Sequence, residues 1–393
     1  MVEETGGAAT DSKIRLPELD GLRGLAIMSV LFWHYGSYDK PAPESLGAWL
    51  PPLIRLGWSG VDLFFVLSGF LIGGILIANR NAGNYWRVFY LRRACRIFPL
   101  YFAVLAAFIV ASATIDAQPS NWLVKQNIPF WSYPLFLQNI EMAWRNSFGS
   151  DFLGPTWSLA VEEQFYLFLP FIVLLVRPAR LPWVLGALIC LAPLLRLVCM
   201  MWFSEHHFLS FYVLMPCRAD ALLLGVVCAW AVRQPDIAAL LETRRVQLFG
   251  AFWILSAGAV VLAWQYQFFY HPMMVLVGFT WLALLYATTL VLAISKTETP
   301  LKRVLRMPAL RKLGDIAFGV YLLHVPIVGL LHLWIYGTGP KIETPAQFAV
   351  TMLAFVLTIA LAQISFVFFE KPIIGFGHRF KFADKSNAAP VAG

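Results

Sequence analysis

Ten apolar runs, each close to the roughly 20 residues that cross a bilayer's hydrocarbon core, divide the chain. They lie at about 22–38, 60–78, 98–116, 160–176, 183–201, 208–231, 247–266, 273–294, 315–336 and 346–369. Composition excludes the other classes. Hydrophobic residues make up 59% of the 393 and charged residues only 13%, about half the charged share of a soluble domain. A soluble fold of this size could not bury that much apolar surface, and a disordered chain would be poor in it. The expected fold is an all-α polytopic membrane bundle of about ten transmembrane helices. Runs that are short or carry charges are expected to face protein or a cavity.

With ten spans, both termini share a side. Placing them inside puts 23 of the 30 Lys+Arg in inner loops and tails. Five stay outside (Lys40, Arg55, Lys125, Arg145 and Lys341), while Arg196 and Arg218 fall within spans. That asymmetry obeys the positive-inside rule and predicts cytoplasmic termini. It also accounts for the formal charge of +8 without nucleic acid as a partner. The expected organisation is a cytoplasmic tail over 1–15, one transmembrane domain over 16–373 and a second cytoplasmic tail over 374–393. The N-terminal stretch has no basic n-region and no small-residue cleavage site, so no signal peptide is expected. Connections are short except for 117–159, which is rich in Trp, Pro and Asn and predicted to form a folded or re-entrant cap. Its Trp122, Trp131, Tyr133 and Trp144 suit either sugar stacking or interfacial anchoring. The cysteines, Cys95, Cys190, Cys199, Cys217 and Cys228, include no CxxC pair. Neither a disulfide framework nor a metal site is expected.

Charges inside the spans are the candidate functional groups. In GLRGLAIMSVLFWHYG, Arg23 and His34 are eleven residues apart. They therefore share one helical face across a rise of about 16 Å. Such a pair is either an interfacial Arg with a structural His or a functional site. In WSGVDLFFVLSGFLIGG, Gly69 and Gly73 are spaced for close helix packing. Asp62 and Ser68 add polar groups to that span, Asp62 as a possible helix cap. In YWRVFYLRRACRIFPLYF, Arg87, Arg92, Arg93 and Arg96 crowd the inner mouth of the third span. They serve topology, lipid headgroups or phosphate capture, for which the planar guanidinium is suited.

GPTWSLAVEEQFYLFLP sets Glu162 and Glu163 at the outer boundary, with Tyr166 one turn on. An acid there complements the helix dipole or, at the depth of His34, forms a proton-transfer pair with it. Arg196, Arg218 with Asp220, and His324 beside Pro326 are each either neutralised locally or aimed into a cavity. His206, His207, His271, His332 and His378 read as loop or interface residues. No P-loop, GxGxxG, HExxH or GxSxG competes, and no residues have zinc-ligand spacing.

ELDGLRGLAIMSVLFWHY resembles the opening of the membrane-bound acyltransferase family 3, whose signature is Arg, ten residues, then His. FFVLSGFLIG, FYLRRACRIFPLY, TWSLAVEEQFYLFLP, FGVYLLHVPI and FFEKP resemble its further blocks in order, over roughly 16–373. The resemblance implies an O-acyltransferase of the bacterial cytoplasmic (inner) membrane. The donor is acyl-CoA, commonly acetyl-CoA, and no metal is needed. The acceptor is a hydroxyl of a surface polysaccharide, its lipid-linked precursor or a small-molecule glycoside. By the same resemblance His34 is the catalytic histidine, Arg23 its functional partner, Arg93 and Arg96 the arginine pair of the third block, and Ser158 and Glu162 the WSLxxE positions. Glu163 falls where the family varies. The chain ends soon after its last span, so no fused extracytoplasmic domain is expected.

The implied scheme sets the nucleotide end of acyl-CoA on Arg23, Arg92, Arg93 and Arg96, with the thioester near His34. His34 acts as general base or first accepts the acyl group. Glu162 orients the imidazole, and Arg218 or Ser158 stabilises the oxyanion. Ser68, Tyr166 and His324 are supporting candidates. A secondary transporter or flippase would use the same intramembrane charges without acyl transfer, but no inverted repeat with broken helices is visible. A purely structural anchor would leave the buried charges unexplained.

Overall fold

The computed structural model describes residues 16–36, 56–115, 122–202, 208–266 and 269–383. The long helices are α1 (Pro17–Gly36), α2 (Gly60–Ala78), α3 (Tyr85–Thr114), α4 (Trp157–Leu175) and α5 (Leu181–Trp202). They continue as α6 (Met215–Ala231), α7 (Arg245–Gln265), α8 (Phe279–Ile294), α9 (Ala317–Tyr336) and α10 (Pro345–Ser365). Each apolar run of the sequence falls on one of them, and the described residues contain no strand. Helices satisfy their own backbone, as lipid requires. Pro99, Pro170, Pro193 and Pro326 sit inside α3, α4, α5 and α9, where packed neighbours make such breaks tolerable.

Nine of the described helices, α2 to α10 with their flanking turns, are long and apolar enough to cross a membrane. The remaining long helix, α1, carries Glu18, Asp20, Arg23 and His34 and packs against α2, α8, α9 and the short helices Pro300–Leu305 and Pro308–Asp315. Its polarity follows from that enclosure, since a helix ringed by others need not face lipid. Around it burial is graded. The spans holding α2 and α6 are 67% and 72% buried, whereas those of α5 and α7 are 17%, so α2 and α6 are central and α5 and α7 face outward.

The central pair is tightly apposed. A Cβ on Gly69 would overlap the carbonyl oxygen of Leu222, and one on Gly225 would overlap that of Val66. The glycine spacing thus does what it predicts, letting α2 and α6 approach backbone to backbone.

The expected cap is folded over its described part. It comprises the helix Gln138–Arg145 and the single turns Phe130–Ser132 and Gly154–Thr156. Amide side chains, of which Gln138 and Asn139 are fully buried, knit the cap together and tie it to the bundle. Gln138 donates to the Thr156 carbonyl at 3.0 Å, Asn139 to that of Val213 at 3.1 Å, and Gln164 to Asn139 Oδ1 at 2.8 Å. Asn146, in the left-handed region at φ 47°, ends the short helix, a conformation that asparagine tolerates.

One histidine expectation is corrected here. His332 is not a loop or interface residue. It lies within α9, fully buried, with Nε2 3.0 Å from Thr351 Oγ1 of α10. His206 and His207 lie outside the described residues.

Candidate active site

Two cavities open into the bundle and meet at Val61 and Tyr321, which line both. One, of about 270 Å³, is lined by Arg23, Arg93, Arg96, Ser68, Glu162 and Tyr166 among others. The second, of about 210 Å³, holds His34 amid Trp33, Trp58, Trp157, Tyr212 and Phe269. Helix directions explain the division. Along α1, Arg23 faces the basic cavity and His34 the aromatic one, about 16 Å further on. Along α9, Phe318 faces the basic cavity, Tyr321 both, and Val325 the aromatic one. α2 and α4 run the other way. Trp58, in the turn before α2, and Trp157, at the start of α4, lie on the aromatic side, while Ser68 and Tyr166 lie deeper, on the basic side.

In the basic cavity, Tyr166 donates to Glu162 Oε2 at 3.2 Å. Its hydroxyl is therefore left to accept a hydrogen bond from Ser68 Oγ, with which it pairs. Ser68, Tyr166 and Glu162 thus form one directed chain. Arg93 and Arg96 form no salt bridge among the described residues, leaving guanidinium donors turned to the cavity. Arg23 sits 3.4 Å from Asp20, which is nearly buried. At the border, Tyr321 donates to the Pro155 carbonyl at 2.8 Å and takes Ser158 as donor at 2.6 Å. Ser158 is therefore tied to the partition between the cavities.

His34 Nδ1 lies 3.0 Å from the Val30 carbonyl. A carbonyl only accepts, so Nδ1 carries the proton and Nε2 is left as a lone pair. His324 repeats the pattern, with Nδ1 2.7 Å from the Tyr321 carbonyl and a buried Nε2 that has no partner. The two rings meet edge to face at 4.7 Å between centroids. An imidazole held in one tautomer, with its basic nitrogen beside a cavity, has the geometry of a general base.

Several expectations are corrected. Glu162 does not orient His34; it lines the other cavity, and the Val30 carbonyl takes that place. Five residues into α4, Glu162 lies about 7.5 Å beyond the start of that helix, past the level of the partition. Arg92 lines neither cavity. It donates to the Phe380 carbonyl at 2.5 and 2.8 Å and lies over the Phe382 ring, holding the segment after α10. Arg218 lines neither cavity either. It pairs with Asp62 at 2.5 Å and lies 4.0 Å from the Phe279 ring centroid. Asp62 makes no side-chain cap contact at the start of α2. Arg196 bonds Asp220 at 3.0 Å and Thr280 at 2.6 Å. His378, taken for a loop or interface residue, lines the basic cavity.

The cap aromatics Trp122, Trp131, Tyr133 and Trp144 line neither cavity. Trp131 and Trp144 are 55% and 74% exposed, which suits anchoring better than stacking. The cavity aromatics, Trp33, Trp58, Phe148, Trp157, Tyr212, Phe269 and Tyr321, come instead from segments scattered along the chain. Trp33 had a signal in its place beside His34, and Trp157 and Tyr321 in lying within recognised blocks. Among the described residues no group of three or more His, Cys, Asp and Glu could hold a metal ion.

Residues 16–366 match the family described as an acyltransferase domain. The chain is 27% identical over 390 residues to the peptidoglycan O-acetyltransferase OatA of Listeria monocytogenes, covering 95% of this chain and 59% of that protein. It is 24% identical over 408 residues to the O-acetyltransferase OatA of Staphylococcus aureus, covering 95% and 60%. It thus spans about three fifths of the length of these relatives. No solved structure matches it. Matched from the start of α1 to the end of α10, the chain belongs to the acyltransferase family that its six sequence blocks resemble.

Proposed function

We propose that this chain is a multi-pass membrane O-acyltransferase. It moves an acyl group, acetyl by analogy with the relatives' names, from cytoplasmic acyl-CoA to a hydroxyl of a carbohydrate or small-molecule glycoside across the membrane. The carrying observation is the pair of cavities of opposite chemistry that meet at Tyr321 and Val61. Acyl-CoA is phosphate-bearing and cannot cross lipid. Arg93 and Arg96, with Arg23 beside them, offer forked donors to those phosphates. Positive charge concentrated in the loops on that side supports cytoplasmic termini.

Each remaining step falls to a residue of this chain. His34 Nε2 takes the proton of the acceptor hydroxyl as its oxygen bonds to the thioester carbonyl carbon. The C–S bond then breaks, and the same proton passes from His34 to the departing thiolate. Ser158 and Tyr321, hydrogen-bonded at the junction, hold the partition where the substrates meet. Glu162, Tyr166 and Ser68 order the polar wall of the donor cavity. A single turnover with labelled acyl-CoA that leaves no label on protein supports this direct transfer; label on His34 replaces it with an acyl-histidine route.

The test is ester formation by the purified full chain from radiolabelled acetyl-CoA and a soluble methyl glycoside. His34→Ala is expected to lower kcat by about 10²–10⁴-fold with an unchanged thermal transition. Wild-type rates in that variant would sink the assignment. So would wild-type protein in vesicles that moves the glycoside across the bilayer without acylating it, the behaviour of a transporter.

A further inference from the structure

The aromatic cavity contains a charge that the reaction above leaves unassigned. Asp151 of the cap lines it together with His34. The turn carrying Asp151 is anchored. Its backbone N–H donates to the Trp122 carbonyl, that of Phe152 to Leu123, and that of Gly154 back to the Asp151 carbonyl. The side chain is exposed in the cavity wall, and no charged side chain among the described residues offsets it. The other titratable groups on this cavity are His34, Tyr212 and Tyr321, and no Lys or Arg among the described residues lines it.

A carboxylate accepts and never donates, and its two oxygens can receive two hydrogen bonds side by side. Neighbouring hydroxyls of a sugar ring present such a pair of donors. The same ring has a C–H face suited to lie on an indole or phenyl face, as Trp33, Trp58, Trp157 and Phe269 offer. At about 210 Å³ the cavity falls below the roughly 300–1,000 Å³ of drug-sized pockets, so it admits one ring rather than an extended chain. Resting on the acyltransferase reading, we propose that Asp151 and these aromatics form the acceptor subsite. It takes a single uncharged sugar ring whose adjacent donors pair with the carboxylate, and it excludes acidic sugars by like-charge repulsion.

The experiment compares methyl glucoside, methyl N-acetylglucosaminide and methyl glucuronide as acceptors with acetyl-CoA and the purified full chain. Wild-type protein is expected to use a neutral glycoside with a KM at least about tenfold below that of the glucuronide. Asp151→Asn should raise the neutral-glycoside KM about tenfold and narrow the gap to the glucuronide, with kcat and the acyl-CoA KM unchanged. Asp151→Lys should reverse the preference. Should Asp151→Asn fail to accumulate, Asp151→Glu keeps the charge but moves it by one methylene. It should raise the neutral-glycoside KM while still rejecting the glucuronide. An unchanged acceptor KM in either variant, or a wild type that prefers the glucuronide, overturns the subsite and leaves the transferase reading standing. A wild type that forms no ester from acetyl-CoA with any of the three overturns the transferase reading and the subsite with it.

Discussion

Arg93 and Arg96 lie on α3 with their guanidinium groups on a cavity, whereas Arg196 and Arg218 lie on α5 and α6, 0% and 1% exposed. Both pairs are arginines on long apolar helices, the first at the basic end of its helix. The second pair is neutralised in place, Arg218 by Asp62 and Arg196 by Asp220, so ion pairs join α2, α5 and α6, a hydrogen bond from Arg196 to Thr280 adds α8, and none of these residues lines either cavity. The first pair makes no such salt bridge among the described residues; Glu162, Glu163 and Glu370 lie within its electrostatic reach without closing on it, and its donors are left for a ligand. An intramembrane charge is a functional candidate by default. Here the default separates into a clamp and a binding surface according to whether a counter-charge has been supplied.

The clamp should give the largest effect. Removing one partner of a buried pair strands the other charge at a cost of about 3–5 kcal/mol. Arg218→Ala is therefore expected to lower unfolding stability in detergent by that amount, and Asp62→Ala combined with Arg218→Ala should recover most of it. An Arg218→Ala protein that unfolds like wild type would erase the distinction between the two arginine pairs. The cavity arginines predict the opposite pattern. Arg93→Gln and Arg96→Gln should each raise the acyl-CoA KM about 10–100-fold, the worth of one or two charge-assisted hydrogen bonds. Unfolding midpoint and kcat should stay put. A loss of stability with an unchanged donor KM would move those residues into the clamp class.

The smallest effect separates the cavities by pH. Desolvation where it lines the cavity pushes the Asp151 carboxyl up to about 6. Above that pH it is ionised and able to accept two hydrogen bonds; below it the carboxyl is neutral and loses that capacity. The acceptor KM should therefore rise several-fold as pH falls from about 7.5 to 5, while the donor KM, set by arginines, does not follow it. Asp151→Asn should lack the step, and an identical step in that variant would assign it to another group.

Much of the fold was legible because the bilayer permits few solutions. Length and apolarity located every long helix, and Gly69 announced the close α2–α6 crossing. Arg23 and His34 could be set on one face of α1 from spacing alone, since 3.6 residues per turn is fixed by the backbone. Glu162 shows where such reasoning fails. Its place in the helix was readable, but its level relative to His34 depends on how α4 is shifted against α1, which no local pattern encodes. Arg92 and Arg93 are adjacent in sequence and point to different partners, the segment after α10 and the basic cavity, because successive helical residues are turned by about 100°.

The sequence alone determined the helices, the polarity of α1 and the family to which the chain belongs, because these follow from chain-local apolarity, helical period and contiguous motifs. Only the tertiary structure decided which charges are paired, that Tyr321 separates two cavities, and that Asp151 shares one of them with His34. Those facts depend on contacts between residues as far apart in the chain as Asp62 and Arg218, or Ser158 and Tyr321. A counter-charge acts over a few ångströms of space, and in a low-dielectric interior that distance fixes whether a charge is a clamp or a site.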